Sequence, residues 1–338
     1  MPITFKAKIN IGSLIRRPEF GAFSGLLFVY IFFAIFGGTP FTAIGGFASW
    51  MNIAAELGII ALPVGMLMIA GDLDLSVGST LAAGGITTAV LSGYFTLPTW
   101  IGIVAGLGLG ALIGYLNGIL VVRTNLPSFI VTLATNFAVF GLILGICKVV
   151  TGTVAVTIKP DHISKTVLGS LLFGQFETAI IIWAVIAVVV SWVLFKSPWG
   201  NWIYAIGGDA TSARLTGIPV NKVRVSLYVC SGIAASFVGV MQTILYNSAQ
   251  VNAGQSFVFN SIIAVVVGGV SLTGGYGSTI GVILGAMTFA IVNQGIYYTG
   301  WDSDWASLIL GVLLLIAVLT NNTFRRLAIS GSKRKGRK

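Results

Sequence analysis

The chain has 338 residues, of which 56% are hydrophobic and only 8% charged. A soluble fold of this size needs a polar shell and carries about 25% charged residues, so 9 Asp and Glu and a single His cannot solvate it; the mean hydropathy of +0.97 agrees. The composition reads as an all-α integral membrane protein, and excludes a soluble enzyme, a nucleic-acid module and a disulfide-stapled secreted domain. The net charge of +10 then needs another explanation.

Residues 1–20 form an N-terminal segment expected on the cytoplasmic side, with Lys6, Lys8, Arg16 and Arg17 ahead of an apolar run. That run lacks a small-residue cleavage pattern and leads into further apolar stretches, so it reads as a first anchor. A helix needs roughly 20 mostly apolar residues to cross the hydrocarbon core. Ten stretches meet that need: 21–38, 51–70, 76–94, 100–122, 127–147, 178–195, 225–246, 257–272, 278–298 and 305–323. Together they make a transmembrane domain over 21–323, with a cytoplasmic loop at 196–224 and a basic tail at 324–338. The stretch near Gly274-Gly275 is either a full span or re-entrant.

Ten spans with the N-terminus inside put Lys148, Lys159 and Lys165 outside and the other 16 of the 19 basic residues inside. That bias is the positive-inside signal, with a contribution from anionic lipid. It predicts a membrane protein with both termini in the cytoplasm, and removes the need for a nucleic-acid partner. Trp50, Trp100, Trp199, Trp202, Trp301 and Trp305 fall at or near expected span ends, where aromatic belts lie. In the fourth span Gly102, Gly106, Gly110, Gly114 and Gly118 recur every four residues, which puts a smooth stripe on one face for close helix packing. Gly110-Ala111 and Asn117-Gly118-Ile119 echo Gly285-Ala286 and Asn293-Gln294-Gly295-Ile296 in the ninth span, as an inverted repeat would. Cys147 and Cys230 lie in apolar runs, and no metal-ligand spacing exists.

Three polar segments carry the functional signal. Gly71-Asp72-Leu73-Asp74-Leu75-Ser76-Val77-Gly78-Ser79 joins the second and third spans, and Asp74 or Ser76 is placed to cap the third. Lys196 to Ile218 is the longest internal cytoplasmic segment. In it Asp209 can cap a short helix through Ala210, Ala213 and Arg214, ended by Gly217 and Pro219. A β-branched run, Ile262 to Val267, leads into Gly268, Gly269, Gly274 and Gly275, which suggests a broken helix, tolerated at membrane depth only where it is buried or lines a cavity.

These segments, in this order, resemble the permease family of ribose, xylose and branched-chain amino acid ABC importers, most closely its sugar permeases. The matching residues are Gly71 to Gly78, Asn117-Gly118, Pro127 to Leu133, Tyr204 to Ile218 and Gly268 to Gly277, within about 45–320. The resemblance implies a fold like the ten-helix permease of cobalamin importers. It makes Gly207, Gly208, Asp209, Ala210, Ala213, Arg214 and Gly217 the coupling helix that meets an ATPase. The other two segments (Asp72, Asp74, Ser76, Gly78, Gly268, Gly269, Gly274, Gly275) become structural or gating elements. Partners implied are ABC ATPase subunits, a periplasmic or lipid-anchored sugar-binding protein, and a second permease, identical or not. Two departures leave the sugar open: Asp72 stands where the pattern has glycine, and Phe257-Val258-Phe259-Asn260-Ser261 replaces an acidic stretch.

No Walker A pattern occurs in the chain, so ATP and Mg are expected on the partner and no cofactor on this chain. The rival class, an ion- or proton-coupled secondary transporter of a small neutral solute, needs an ionisable group deep in the bilayer. Glu56 is the candidate, expected about two turns from the outer end of the second span. His162 lies in an outside loop and reads as solvated. Asn117, Asn136, Gln242, Asn247 and Asn293 supply amides in or near the spans and are the candidate pathway for an uncharged, hydroxyl-rich solute, imported as a monosaccharide or similar polyol.

Overall fold

The computed structural model describes residues 18–302 and scattered positions between 305 and 316. The basic N-terminal residues, most of the stretch expected at 305–323 and the tail at 324–338 lie outside the described residues. Thirteen helices follow in chain order: α1 (Pro18–Phe36), α2 (Gly38–Thr42), α3 (Ile44–Ile69), α4 (Val77–Ala89), α5 (Thr99–Thr124), α6 (Ser128–Thr151), α7 (His162–Leu168), α8 (Ala179–Lys196), α9 (Pro198–Gly208), α10 (Ala210–Leu215), α11 (Val220–Tyr246), α12 (Phe257–Val267) and α13 (Thr279–Tyr298). Four short strands, β1 (Ala155–Thr157), β2 (Leu171–Leu172), β3 (Phe176–Glu177) and β4 (Ser248–Gln250), pair antiparallel as β1 with β4 and β2 with β3.

Among the described residues, seven helices are long and apolar enough to cross a membrane: α1, α3, α5, α6, α8, α11 and α13. The chain is therefore a multi-pass, mostly helical membrane protein. α4 continues through a π-helical turn, Val90–Tyr94, and together they cover the third expected span. The eighth expected span, 257–272, is not a full helix. α12 has 11 residues, about 16 Å at 1.5 Å per residue, and the chain reaches it through turns at 251–256.

α3 is the axis of the bundle, buried along most of its 26 residues. α1, α6 and α8 stand at the periphery and turn Ile35, Phe137 and Val188 outward, each about two-thirds exposed or more; in a bilayer that surface meets lipid. The glycine stripe of α5 packs as its period predicts. A Cβ at Gly106 would meet the Gly84 carbonyl, one at Gly110 would strike Ser236 and the Gly232 carbonyl, and one at Gly114 would strike the Tyr228 carbonyl. Ser236 Oγ donates to Gly106 O at 2.7 Å across this seam.

Long-range contacts sort the loops into two ends. At one end β1 pairs with β4, Asp161 N donates to Thr99 Oγ1 at 3.0 Å, and Lys165 Nζ donates to Ile244 O at 2.7 Å. At the other, Leu73 N donates to Ser128 Oγ at 3.0 Å, Gly275 N to Ile69 O at 2.8 Å, and Arg224 pairs with Asp72. Lys148, Lys159 and Lys165 belong to the first end, and Arg123, Lys196, Arg214, Lys222 and Arg224 to the second.

Two placements correct the sequence reading. α3 starts at Ile44, so Trp50 is buried inside it and does not mark its end. Glu56 is then the thirteenth of 26 residues, halfway along the helix and 8% exposed. The start of α3 seats closely on α2: a Cβ on Gly46 would strike the Phe41 and Pro40 carbonyls.

Candidate functional site

A helix start leaves its first amides without intrahelical partners, and buried amides must find them elsewhere. The α3–α4 connection meets this with side chains drawn from three other helices. Gly71 turns the chain at φ +91°. The Asp74 carboxylate accepts from Ser76 N at 2.9 Å, Ser76 Oγ at 2.6 Å and Ser231 Oγ at 2.7 Å. Ser76 Oγ in turn accepts from Asn117 Nδ2 at 2.8 Å, while Ser79 N donates to Asn136 Oδ1 at 3.1 Å and Leu75 N to Thr132 Oγ1 at 3.1 Å. Asp74 thus holds Ser76, the residue before α4, while Asn136 and not Asp74 or Ser76 takes a free amide of the helix start, and the joint ties α4 to α5, α6 and α11. Gly78 abuts Gly254, where neither backbone leaves room for a Cβ.

Asp72, 2% exposed, is gripped by both Nε (2.6 Å) and Nη2 of Arg224. Removing one partner of a buried ion pair costs about 3–5 kcal/mol, because the other charge is left uncompensated. The pair fastens the α3–α4 joint to the first turns of α11.

α10 rises between that joint and α11. Asp209 caps it by accepting from Thr211 N at 2.8 Å and Ser212 N at 3.0 Å, and these amides hold its carboxyl below the ordinary range. Gly217, at φ +86°, closes it: Gly217 N donates to Arg214 O and Ile218 N to Ala213 O, a left-handed glycine cap. Ala213 faces inward, whereas Gly208, Thr211, Ser212 and Leu215 face outward, Leu215 being 84% exposed. Arg214 reaches back to Asn221 Oδ1 at 3.1 Å.

The glycine cluster completes the same end. Gly269, Gly274 and Gly275 all have positive φ. Gly207 of α9 is wedged between the Ile69 carbonyl and Gly275 N, Gly274 abuts Gly71, and Tyr204 OH donates to Gly277 O at 2.8 Å. Gly268 packs on Gly281 at the start of α13. The three polar segments read from the sequence therefore meet in one assembly.

The candidate pathway amides do not. Asn117 and Asn136 are buried in the joint just described, and Asn293 is half-buried in α13. Asn247 ends α11 in the left-handed conformation at φ 55° and accepts from Lys165 Nζ at 3.0 Å. Gln242 lines a cavity of about 210 Å³, bounded by α4, the C-terminal part of α11 and residues 248–253. Its Nε2 donates to Glu56 Oε2 at 2.8 Å.

A family model for the branched-chain amino acid transport system permease component matches residues 46–318. The chain belongs to this permease family. The probable ABC transporter permease protein y4mJ of Sinorhizobium fredii is 37% identical over 81% of the chain and 80% of its own length. The fructose import permease FrcC of Rhizobium meliloti is 31% identical, covering 90% of the chain and 84% of that protein. The ribose import permease RbsC of Escherichia coli is 32% identical, covering 78% and 81%. No solved structure matches. As a permease of this family the chain is a transport component, not an enzyme. Sequence reasoning missed two residues in this permease, Arg224 and Lys165. Their partners lie 152 and 79 residues away, so no local pattern marks them. Sequence departure at Asp72 was the one available signal, since a buried acid calls for a cation.

Proposed function

We propose that the chain is the membrane-spanning permease subunit of an ATP-driven importer that carries a monosaccharide or similar polyol into the cytoplasm. The observation that carries the reading is the seating of α9–α10. Gly207 is locked against Gly71, Gly274 and Gly275 at the joint of the spans, while α10 presents an exposed Leu215 to a partner. A push on α10 has a stiff route to α3, α4 and α11, as coupling to an ATPase requires. The names of FrcC and RbsC support a sugar as cargo.

Gly207, Gly208, Asp209, Ala210, Ala213, Arg214 and Gly217 form the coupling segment in this reading, with ATP and Mg held by the ATPase. The end carrying Arg123, Lys196, Arg214, Lys222 and Arg224 faces the cytoplasm of a bacterial inner membrane, in keeping with the positive-inside bias, and both termini share that side. A periplasmic or lipid-anchored binding protein delivers the sugar to the opposite end, and a second permease, identical or not, completes the pore. The tenth span, the cobalamin-importer-like arrangement and the inverted repeat belong to the same proposal. The test is uptake of labelled ribose, fructose and galactose into proteoliposomes holding the chain with its ATPase and binding protein. ATP-dependent uptake is expected; uptake by the chain without an ATPase would establish the ion-coupled alternative instead.

A further inference from the structure

Glu56 is a costly residue that neither the joint nor the coupling segment uses. It sits halfway along α3, 8% exposed, and the hydrogen bond its carboxylate receives among the described residues comes from Gln242 Nε2 at 2.8 Å. No Lys or Arg among the described residues pairs with it. An acid at that depth without a cation marks function more often than packing, because an apolar residue of similar size would serve the fold at less cost.

The geometry around it supplies the second observation. Gln242 lines the cavity between α4 and α11. Because one Nε2 proton is committed to Glu56, the amide orientation is fixed, leaving Oε1 as its acceptor together with the second Nε2 proton. Thr243, on the same wall, spends its hydroxyl proton on Gly239 O at 2.7 Å and has only acceptor capacity left. Gly85 and Gly239 keep the opposite walls close and free of side chains. No cation lines the space to receive a carboxylate.

We propose that Glu56 and Gln242 form a hydroxyl-recognition pair in the solute path: Glu56 fixes the Gln242 amide, whose oxygen accepts from a hydroxyl of an uncharged polyol. With no cation in the lining to offset its charge, the α-carboxylate of an amino acid is disfavoured there relative to an uncharged polyol. The inference rests on the importer reading and adds which residues choose the cargo class. A site built to bond a hydroxyl discriminates strongly against the analogue that lacks it, because its polar atoms are then left unpaired.

The experiment uses the complete importer in proteoliposomes, with labelled ribose, fructose, galactose and leucine as probes, and the single-deoxy analogues of whichever sugar enters fastest. Wild type is expected to carry a sugar and to take up one deoxy analogue at least tenfold more slowly than its parent. Glu56→Leu and Gln242→Leu, which keep bulk and remove the acceptors, are expected to lower parent uptake at least tenfold. They are also expected to bring parent and analogue within twofold of each other. Glu56→Gln guards against misfolding: it keeps a polar side chain of the same size, yet frees the amide of Gln242 to turn, and should erase the deoxy preference as well. A purely structural role would change the amount of assembled importer and leave the preference intact. If wild type carries a sugar and all three variants keep its rate and preference, the recognition pair is wrong and the importer reading stands. If wild type carries leucine and no sugar, both fall.

Discussion

Single side chains outside the bilayer give this permease a readable pH response. Glu177 ends β3 half-buried, with Oε2 enclosed and without a hydrogen-bond partner, and burial lifts its pKa to about 7. The folded state therefore prefers the neutral acid. Below about pH 4.5 both states are protonated and nothing is lost; as pH rises from there to 7 the folded state alone resists ionisation, and stability falls. Glu177→Gln should raise the thermal midpoint in detergent at pH 8, and the gain should shrink to a small remainder at pH 4.5. A gain that stays constant across that window would trace to packing and not to charge. Asp161 has the opposite sign. The Thr99 hydroxyl and the Ser164 amide hold it at about 2, so its stabilisation is present above about pH 4 and fades only as pH falls toward 2, outside the window used for Glu177. Asp72 and Arg224 offer a second residue-level test. Arg224→Leu alone strands a buried carboxylate and should destabilise by about 3 kcal/mol, the low end for buried pairs because Arg224 is 23% exposed. Adding Asp72→Gly, the residue the family pattern carries there, should recover most of that loss in a double-mutant cycle. A double variant whose loss equals the sum of the losses of Arg224→Leu and Asp72→Gly alone would show that the pair does not couple.

At the scale of elements, the seam between α5 and α11 is the clearest consequence of the sequence. Gly110 packs on Ser236 and Gly232, whereas a Cβ on Gly108, two residues away on the opposite face, would meet nothing. Gly110→Val should therefore abolish a monodisperse peak on size exclusion, since overpacking a close seam costs about 1–3 kcal/mol or more; Gly108→Val should elute as wild type. A similar loss from both would mean that glycine flexibility, not proximity, matters in α5. This seam was legible because a four-residue period maps directly onto one helical face. Span positions were legible for the same reason that hydropathy works at all: backbone groups in lipid must be satisfied within the helix. The half-length α12 was legible only in part: the glycines after Val267 suggested a broken helix, with a full or a re-entrant span left open, but nothing local marked its late start. Residues 257–267 are as apolar as any span, and the turns before them depend on Gly254 meeting Gly78, a contact 176 residues distant in sequence that no local signal announces. The depth of Glu56 was misread because the second span was expected over 51–70, whereas α3 already begins at Ile44. Among the candidate pathway amides, Asn117 and Asn136 went to the α3–α4 joint, since an amide that can satisfy a buried helix start serves the fold as readily as a pore.

Across the whole molecule, charge and geometry agree on two distinct ends. The sheet of β1 and β4, the Lys165 cap on α11 and the cavity beside Gln242 stand at one; the Asp72–Arg224 pair, the glycine junction and α10 stand at the other. α8 is the single span between Ile163, 73% exposed in α7, and Leu215, 84% exposed in α10, so these two positions must lie on opposite sides of the membrane. With Cys147 and Cys230 replaced by alanine, Ile163→Cys should react with a membrane-impermeant maleimide in intact cells. Leu215→Cys should react only after permeabilisation. The result bears on mechanism as well as topology. ATP is available only in the cytoplasm, and Leu215 lies on the segment assigned to an ATPase. Labelling of Leu215→Cys from outside, with Ile163→Cys protected, would place α10 where no ATPase can reach it and would remove the physical basis for an ATP-driven importer. Labelling of both from one side would mean that α8, hydrophobic as it is, does not cross. The expected pattern instead leaves the cavity beside Gln242 at one end of the chain and the exposed tip of α10 at the other, joined through α3, α4 and α11 by contacts too close for a side chain to intervene.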